Sequence, residues 1–170
     1  MVSSLVPRFA FFVSGTGVHP DRLRAFEKAL LSAGPFAHNL VTVSSIMPAG
    51  CEIITPEEGF AKLTAGEITF CIMARQDTNT MSEHASAAVG IVKVKDVSKF
   101  GYISEYHGTA AGKDEAEKIA IRLAVEMYEA KTGTLVKDLD MDRVHATAAS
   151  IQHPGDASWV SAVALCVFVL

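Results

Sequence analysis

The chain has no apolar run of the roughly 18 residues that a membrane-spanning helix needs, and Met1 to Arg8 holds no basic segment leading into an apolar stretch. Neither membrane insertion nor export is expected, and a cytoplasmic protein is the natural reading. Cysteine is scarce: Cys51, Cys71 and Cys166 are odd in number, lack C-x-x-C spacing, and lie in or beside apolar sequence. That excludes a disulfide framework and points to reduced, buried thiols. Lysine and arginine never cluster and the formal net charge is −4, so the footprint of a nucleic-acid binder is missing. His19, His38, His84, His107, His145 and His153 show no H-x-x-x-H or mixed His/Cys spacing, which leaves no expected metal site. Ser14, Ser44 and Ser45 sit outside any G-x-S-x-G frame, so a hydrolase nucleophile elbow has no local support. Gly15-Thr16-Gly17 lacks the third glycine of a dinucleotide loop, Pro20 standing in its place, and no G-K-[ST] follows. A plain tight turn is expected there.

What remains is ordinary in bulk and particular in one place. A chain of 170 residues, 49% hydrophobic and 20% charged, reads as one globular domain over residues 1–170. It can hide roughly two thirds of its unfolded surface without staples. Arg8 to Ser14 is strand-like, and Leu23, Phe26, Ala29, Leu30 and Ala33 recur at helical spacing until Gly34 and Pro35. Asn39 to Ser45 is again strand-like and stops at Pro48 and Gly50. After a short helix around Pro56 to Leu63, three β-rich runs follow: Ile68 to Arg75, Ala85 to Lys95 and Phe100 to His107. They suggest a meander. Glu115 to Lys131 carries Ala116, Ile119, Ala120, Leu123, Ala124, Met127 and Tyr128 on one helical face, with Gly133 as the stop. Arg143 to Gln152 and Ser158 to Val169 are two closing strands. Six or seven strands with two main helices in mixed order indicate an α+β fold built in layers.

The particular place is Asn39 to Gly50, N-L-V-T-V-S-S-I-M-P-A-G. It sets two hydroxyls at the end of a strand, beside a bend enforced by Pro48. A strained backbone at this point could bring the Ser45 hydroxyl onto the preceding carbonyl. Taken alone, Ser-Ser before a turn is usually just a polar loop start.

V-S-S-I-M-P with an upstream asparagine closely resembles the processing site of the pyruvoyl-dependent arginine decarboxylases. The likeness extends along most of the chain, in the family's order. F-E-K-A-L-L-S-A-G (Phe26 to Gly34) looks like the family's first helix, and S-E-H-A-S-A-A-V-G (Ser82 to Gly90) like its central strand. Y-I-S-E-Y-H-G (Tyr102 to Gly108), followed by K-D-E-A-E-K (Lys113 to Lys118), resembles its E-Y-x-G strand and acidic helix start. The resemblance implies an αββα sandwich of mostly antiparallel sheets. It implies autocatalytic cleavage of a zymogen between Ser44 and Ser45, giving a β chain of residues 1–44 and an α chain of residues 45–170. It also implies a homotrimer of such pairs with active sites between subunits.

The same resemblance assigns roles. Ser45 would become a covalent pyruvoyl cofactor, whose carbonyl condenses with the substrate amine and accepts electrons when carbon dioxide leaves. Glu105 matches the proton donor, and Asn39 the residue that assists processing, as an expected donor to the Ser44 carbonyl. Glu27 falls where the family pattern has an aspartate that meets the substrate guanidinium, so the extra methylene bears on chain-length preference. Ser44 would stay near the substrate as the new C-terminus. The expected reaction is L-arginine to agmatine and carbon dioxide, as in polyamine synthesis. A pyruvoyl decarboxylase of histidine or ornithine remains an alternative, as does an uncleaved structural or binding relative.

Overall fold

Strand β1 (Phe9–His19) runs eleven residues, straight through the glycines that were expected to turn it. The glycines answer to packing instead. Helix α1 (Arg22–Ala33) crosses directly over them, and a Cβ on Gly15 would lie 2.4 Å from the Ala29 carbonyl oxygen. Only a strand without side chains at these positions lets the helix come that close. The computed structural model describes residues 5–94, 96–133 and 144–170.

After α1 come β2 (Asn39–Thr42), β3 (Ile46–Met47), β4 (Glu52–Ile53), the short helix α2 (Pro56–Phe60), β5 (Ile68–Thr78), β6 (His84–Val92) and β7 (Gly101–Gly108). Helix α3 (Lys113–Thr132), β8 (His145–Gln152) and β9 (Trp159–Val169) complete the described chain. The expected strands therefore largely exist, with β3 and β4 added. The expected starts and ends at Lys95 and Arg143 lie outside the described residues.

The strands form two sheets, of order β2-β5-β9-β1-β4 and β3-β7-β6-β8. They stack face to face, with α1 and α2 on the outside of the first and α3 on the outside of the second. The expected αββα layering is thus what the chain adopts. The expected meander is not. β6 and β7 pair antiparallel, but β5 belongs to the other sheet, between β2 and β9. Strand β9 lies between β5 and β1 and is almost wholly buried, so both its faces are apolar.

Between the sheets lies a core that includes Met47, Ile72, Val89, Ile91, Ile103 and Ala164. A second apolar layer under α1 holds Phe11, Ala29, Val163 and Leu165. On the far side, α3 sets Ala116 and Ala120 against Ala88 and Ala148. These small residues permit a close helix–sheet approach, and the Ser104 hydroxyl donates to the Ala120 carbonyl. Asp21 caps α1 by accepting from the Arg24 N–H at 2.9 Å, and Gly133 ends α3 in the left-handed region at φ 69°. Leu23, expected to face the core, is 70% exposed. All three cysteines are free and buried. Burial pushes the Cys51 thiol up to about 11 and Cys71 up to about 12, and raises Cys166 well above the ordinary thiol value, which removes them as thiolate nucleophiles near neutral pH. No described helix is long and apolar enough to cross a membrane.

Candidate functional site

The two serines stand where the chain changes sheets. β2 is an edge strand of the first sheet, pairing parallel with β5 up to Thr42 opposite Cys71. The Val43 N–H still donates to the Cys71 carbonyl at 2.9 Å, after which the chain leaves this ladder. Two residues later it is in the second sheet. The Ile103 N–H donates to the Ser45 carbonyl at 2.8 Å, and Ile46 pairs with Tyr102. The Ser44–Ser45 peptide bond is therefore the bridge between the sheets, with one ladder bond pinning each side of it.

The turn that makes the bridge is tight. The Ile46 N–H donates to the Ser44 carbonyl at 2.9 Å, a three-residue turn centred on Ser45. Strain of the left-handed kind is absent: among the described non-glycine residues only Ser82 has a positive φ. What distinguishes this carbonyl is a directed donor on its oxygen, in the position to stabilise negative charge there.

Both ladders lead to Glu105. In the first sheet the last ladder bond runs from the Val43 N–H to the Cys71 carbonyl, and two residues further along β5 the Met73 N–H turns to the Glu105 carboxylate. In the second sheet the Ser45 carbonyl accepts from the Ile103 N–H, two residues before Glu105 on β7. Glu105 shares a face with the buried Ile103 and pairs with Val89, so its stem starts in the layer between the sheets. Its outer part emerges at the open edge of the sandwich. Burial raises its pKa above the ordinary glutamate value; the charge of His107 and the Met73 N–H pull the other way without reversing it. A glutamate with a raised pKa keeps its proton to higher pH than a free one, which is the property a proton donor needs.

Ser44, Ser45 and Glu105 are thus brought together within one chain, and Asn39 and Glu27 are not. Asn39 begins β2, at the far end of the strand from Ser44. Five residues of strand span roughly 16 Å, and its side-chain amide donates to the Gly66 carbonyl at 2.7 Å. The donor on the Ser44 carbonyl in this chain is the Ile46 N–H instead. Glu27 lies on the exposed face of α1, outside the first sheet. Leu23 and Leu31, one turn to either side of it, are 70% and 59% exposed. Ile46 and Met73 act through backbone N–H groups, so no residue type could have announced them. His107 was legible in principle, being two residues beyond Glu105 on a strand and hence on its face.

Beside the bridge lies an apolar cleft of about 470 Å³, lined among others by Leu5, Val43, Ser44, Pro48, Phe70 and Phe168. Among the described residues no group of three or more His, Cys, Asp or Glu is placed to hold a metal ion.

The sequence profile of the family described as pyruvoyl-dependent arginine decarboxylase matches residues 9–170 of this chain. Pyruvoyl-dependent arginine decarboxylase 1 of Methanosarcina acetivorans is 40% identical over 171 aligned residues, which cover 100% of both chains. The protein of that name from Methanosarcina mazei is also 40% identical, with the same full coverage. Pyruvoyl-dependent arginine decarboxylase 2 of Archaeoglobus fulgidus is 40% identical over 167 residues, covering 98% of this chain and 99% of its own.

Proposed function

This chain belongs to the pyruvoyl-dependent arginine decarboxylase family, and on that premise we propose that it cuts itself between Ser44 and Ser45 and decarboxylates arginine to agmatine. The observation that carries the reading is the position of the Ser44–Ser45 bond, bridging two sheets with a donor on its carbonyl and Glu105 beside it.

In the cut, the Ser45 hydroxyl adds to the Ser44 carbonyl carbon while the Ile46 N–H holds the developing oxyanion. Collapse expels the Ser45 nitrogen and leaves an ester between the two serines. Loss of the Ser45 α-proton then breaks the ester, freeing the Ser44 carboxylate and leaving dehydroalanine at 45. Water enters, ammonia departs, and residue 45 is a pyruvoyl group. Both new ends keep a ladder bond, Val43 to Cys71 and Ser45 to Ile103. The β chain stays in place because β1 is paired on both sides, by β9 and β4.

A pyruvoyl carbonyl supplies the electron sink that loss of carbon dioxide requires. Glu105 returns a proton to the substrate Cα, and burial keeps that proton on it above the ordinary glutamate range. The Ser44 carboxylate stands beside the substrate amine. Glu27 is the carboxylate for the guanidinium, reached across a subunit boundary in a homotrimer. Two exposed apolar surfaces support that assembly: Leu23 and Leu31 flanking Glu27 on α1, and Val41, Val43 and Ile68 along the β2 edge. Asn39, on the same edge strand, assists processing in that setting.

Intact mass of the purified protein tests the cut, with chains ending at Ser44 and beginning at a pyruvoyl residue 45 expected. Ser45→Ala should remain full-length. A wild-type protein that stays one chain refutes the proposal. Carbon dioxide release from arginine, ornithine, lysine and histidine in parallel tests the substrate, and release from another amino acid but not from arginine refutes that part alone. Sedimentation of the native protein as anything but three pairs refutes the trimer.

A further inference from the structure

Decarboxylation of arginine consumes a proton in every turnover. Carbon dioxide leaves without one, and the product Cα gains one. If Glu105 supplies it, the carboxylate left behind must be reloaded before the next cycle. Its outer end is exposed and, on the reading above, is covered by the substrate or product while the site is occupied; its stem faces the apolar layer between the sheets. While the site is occupied, a proton must therefore arrive along the strand rather than from either end of the side chain.

His107 occupies that route. It follows Glu105 by two residues on β7, so both side chains stand on one face, about 6.6 Å apart at the backbone. Either direct contact or one water spans such a gap. Across the ladder the facing residues are Ala87 and Val89, both apolar and fully buried. On β5 the facing groups are the Met73 N–H and the buried Cys71, and on the bridge the two serines; none of these exchanges protons readily near neutral pH. Tyr106, between the two, points to the opposite face, where its hydroxyl accepts from the Ala110 N–H at 3.2 Å. His107 is exposed, so its outer side meets bulk water.

We propose that His107 is the proton relay of this decarboxylase, passing a proton from bulk water to the Glu105 carboxylate after each turnover. The proposal rests on the decarboxylase reading above. In the step, an imidazolium N–H bond breaks as the carboxyl O–H forms, leaving neutral imidazole and protonated Glu105. The imidazole then takes a proton from hydronium or buffer, and the balance equals the one proton fixed in the product. Imidazole suits the task because it both holds and yields a proton near neutral pH. The one charge acting on Glu105 among the described groups is that of His107.

The test is the self-cleaved enzyme carrying His107→Gln or His107→Ala. Both variants should be cut as completely as wild type, since His107 takes no part in the Ser44–Ser45 reaction. KM for arginine should be unchanged and kcat reduced about tenfold or more. Added imidazole should restore turnover in His107→Ala. Removal of a positive charge makes Glu105 release its proton at higher pH, so the alkaline fall of kcat should move upward in both variants. Unchanged kcat across pH overturns the relay. So does a loss of kcat that imidazole does not rescue and that leaves the alkaline limb where it was. A wild-type chain that is cut but releases no carbon dioxide from arginine fails the parent reading, and the relay with it.

Discussion

Replacement of Gly17 by alanine tests the link between strand packing and the proposed substrate carboxylate. A Cβ at this position would lie 2.2 Å from the Ala25 carbonyl oxygen and 2.5 Å from the Ala29 N, where ordinary contact begins at 3.4 Å. Both atoms belong to the α1 backbone, so no rotamer change relieves the overlap, and helix and strand must part by about 1 Å. Overpacking of this kind costs about 1–3 kcal/mol. In a domain of this size each kcal/mol lowers Tm by roughly 2–4 °C, so a fall of about 2–12 °C is expected. The same displacement moves Glu27, carried on α1, by a comparable distance, and a misplacement of about 1 Å at a positioning group can cost up to about 100-fold. Thermal unfolding and arginine kinetics on the processed protein measure the two effects. KM should rise while the extent of cleavage stays at the wild-type level, because Ser44, Ser45, Ile46 and Glu105 are not held by α1. An unchanged Tm would refute the close approach. A lowered Tm with unchanged KM would refute the delivery of Glu27 by α1.

Glu105→Gln should be cut normally and lose about 10²–10⁴-fold in kcat, the range for removing a general acid, and an uncut variant would contradict this division of roles. Because burial raises the folded pKa of Glu105, its contribution to stability is fully present below the unfolded value and is lost as pH rises through the raised one. The stability of Glu105→Gln relative to wild type should therefore improve between acid and neutral pH in urea titrations, and the opposite trend would refute the raised pKa. Glu27→Gln should raise KM for arginine with cleavage unaffected; equal KM values would remove Glu27 from substrate binding. His153 is 4% exposed, accepts at Nδ1 from the Gly155 N–H at 3.0 Å and donates from Nε2 to the Ser158 carbonyl at 2.9 Å. His153→Phe strands both groups and should cost about 2–4 kcal/mol in urea unfolding, and a cost near zero would refute that account.

Periodicity made most of the elements legible. Of the expected α3 stripe, Ala116, Ala120, Ala124 and Tyr128 are buried, Ile119 and Leu123 are half-buried and Met127 is exposed, and the β-rich runs became β5, β6 and β7. Where the expectations failed, a tertiary neighbour had overruled a local signal. Gly15 and Gly17 read as a turn because glycine usually marks one; here they make room for α1. Leu23 fits a helical period, yet it flanks Glu27 on the exposed face. β5 lies next to β6 in sequence, but its partners are β2 and β9, a choice that no local pattern encodes.

The sequence by itself determined the family, through V-S-S-I-M-P and E-Y-H-G, and it named Ser45 and Glu105 as the side chains of the proposed cut and proton transfer. Those are matters of residue type and order, which a linear string records. Only the tertiary structure decided that Ser44 and Ser45 bridge two sheets, and that Glu105 from a strand about 60 residues away stands beside them. It alone put the Ile46 N–H on the Ser44 carbonyl. The physical reason is that strand pairing joins distant segments through backbone hydrogen bonds, and a backbone N–H looks the same in every residue but proline until the fold aims it.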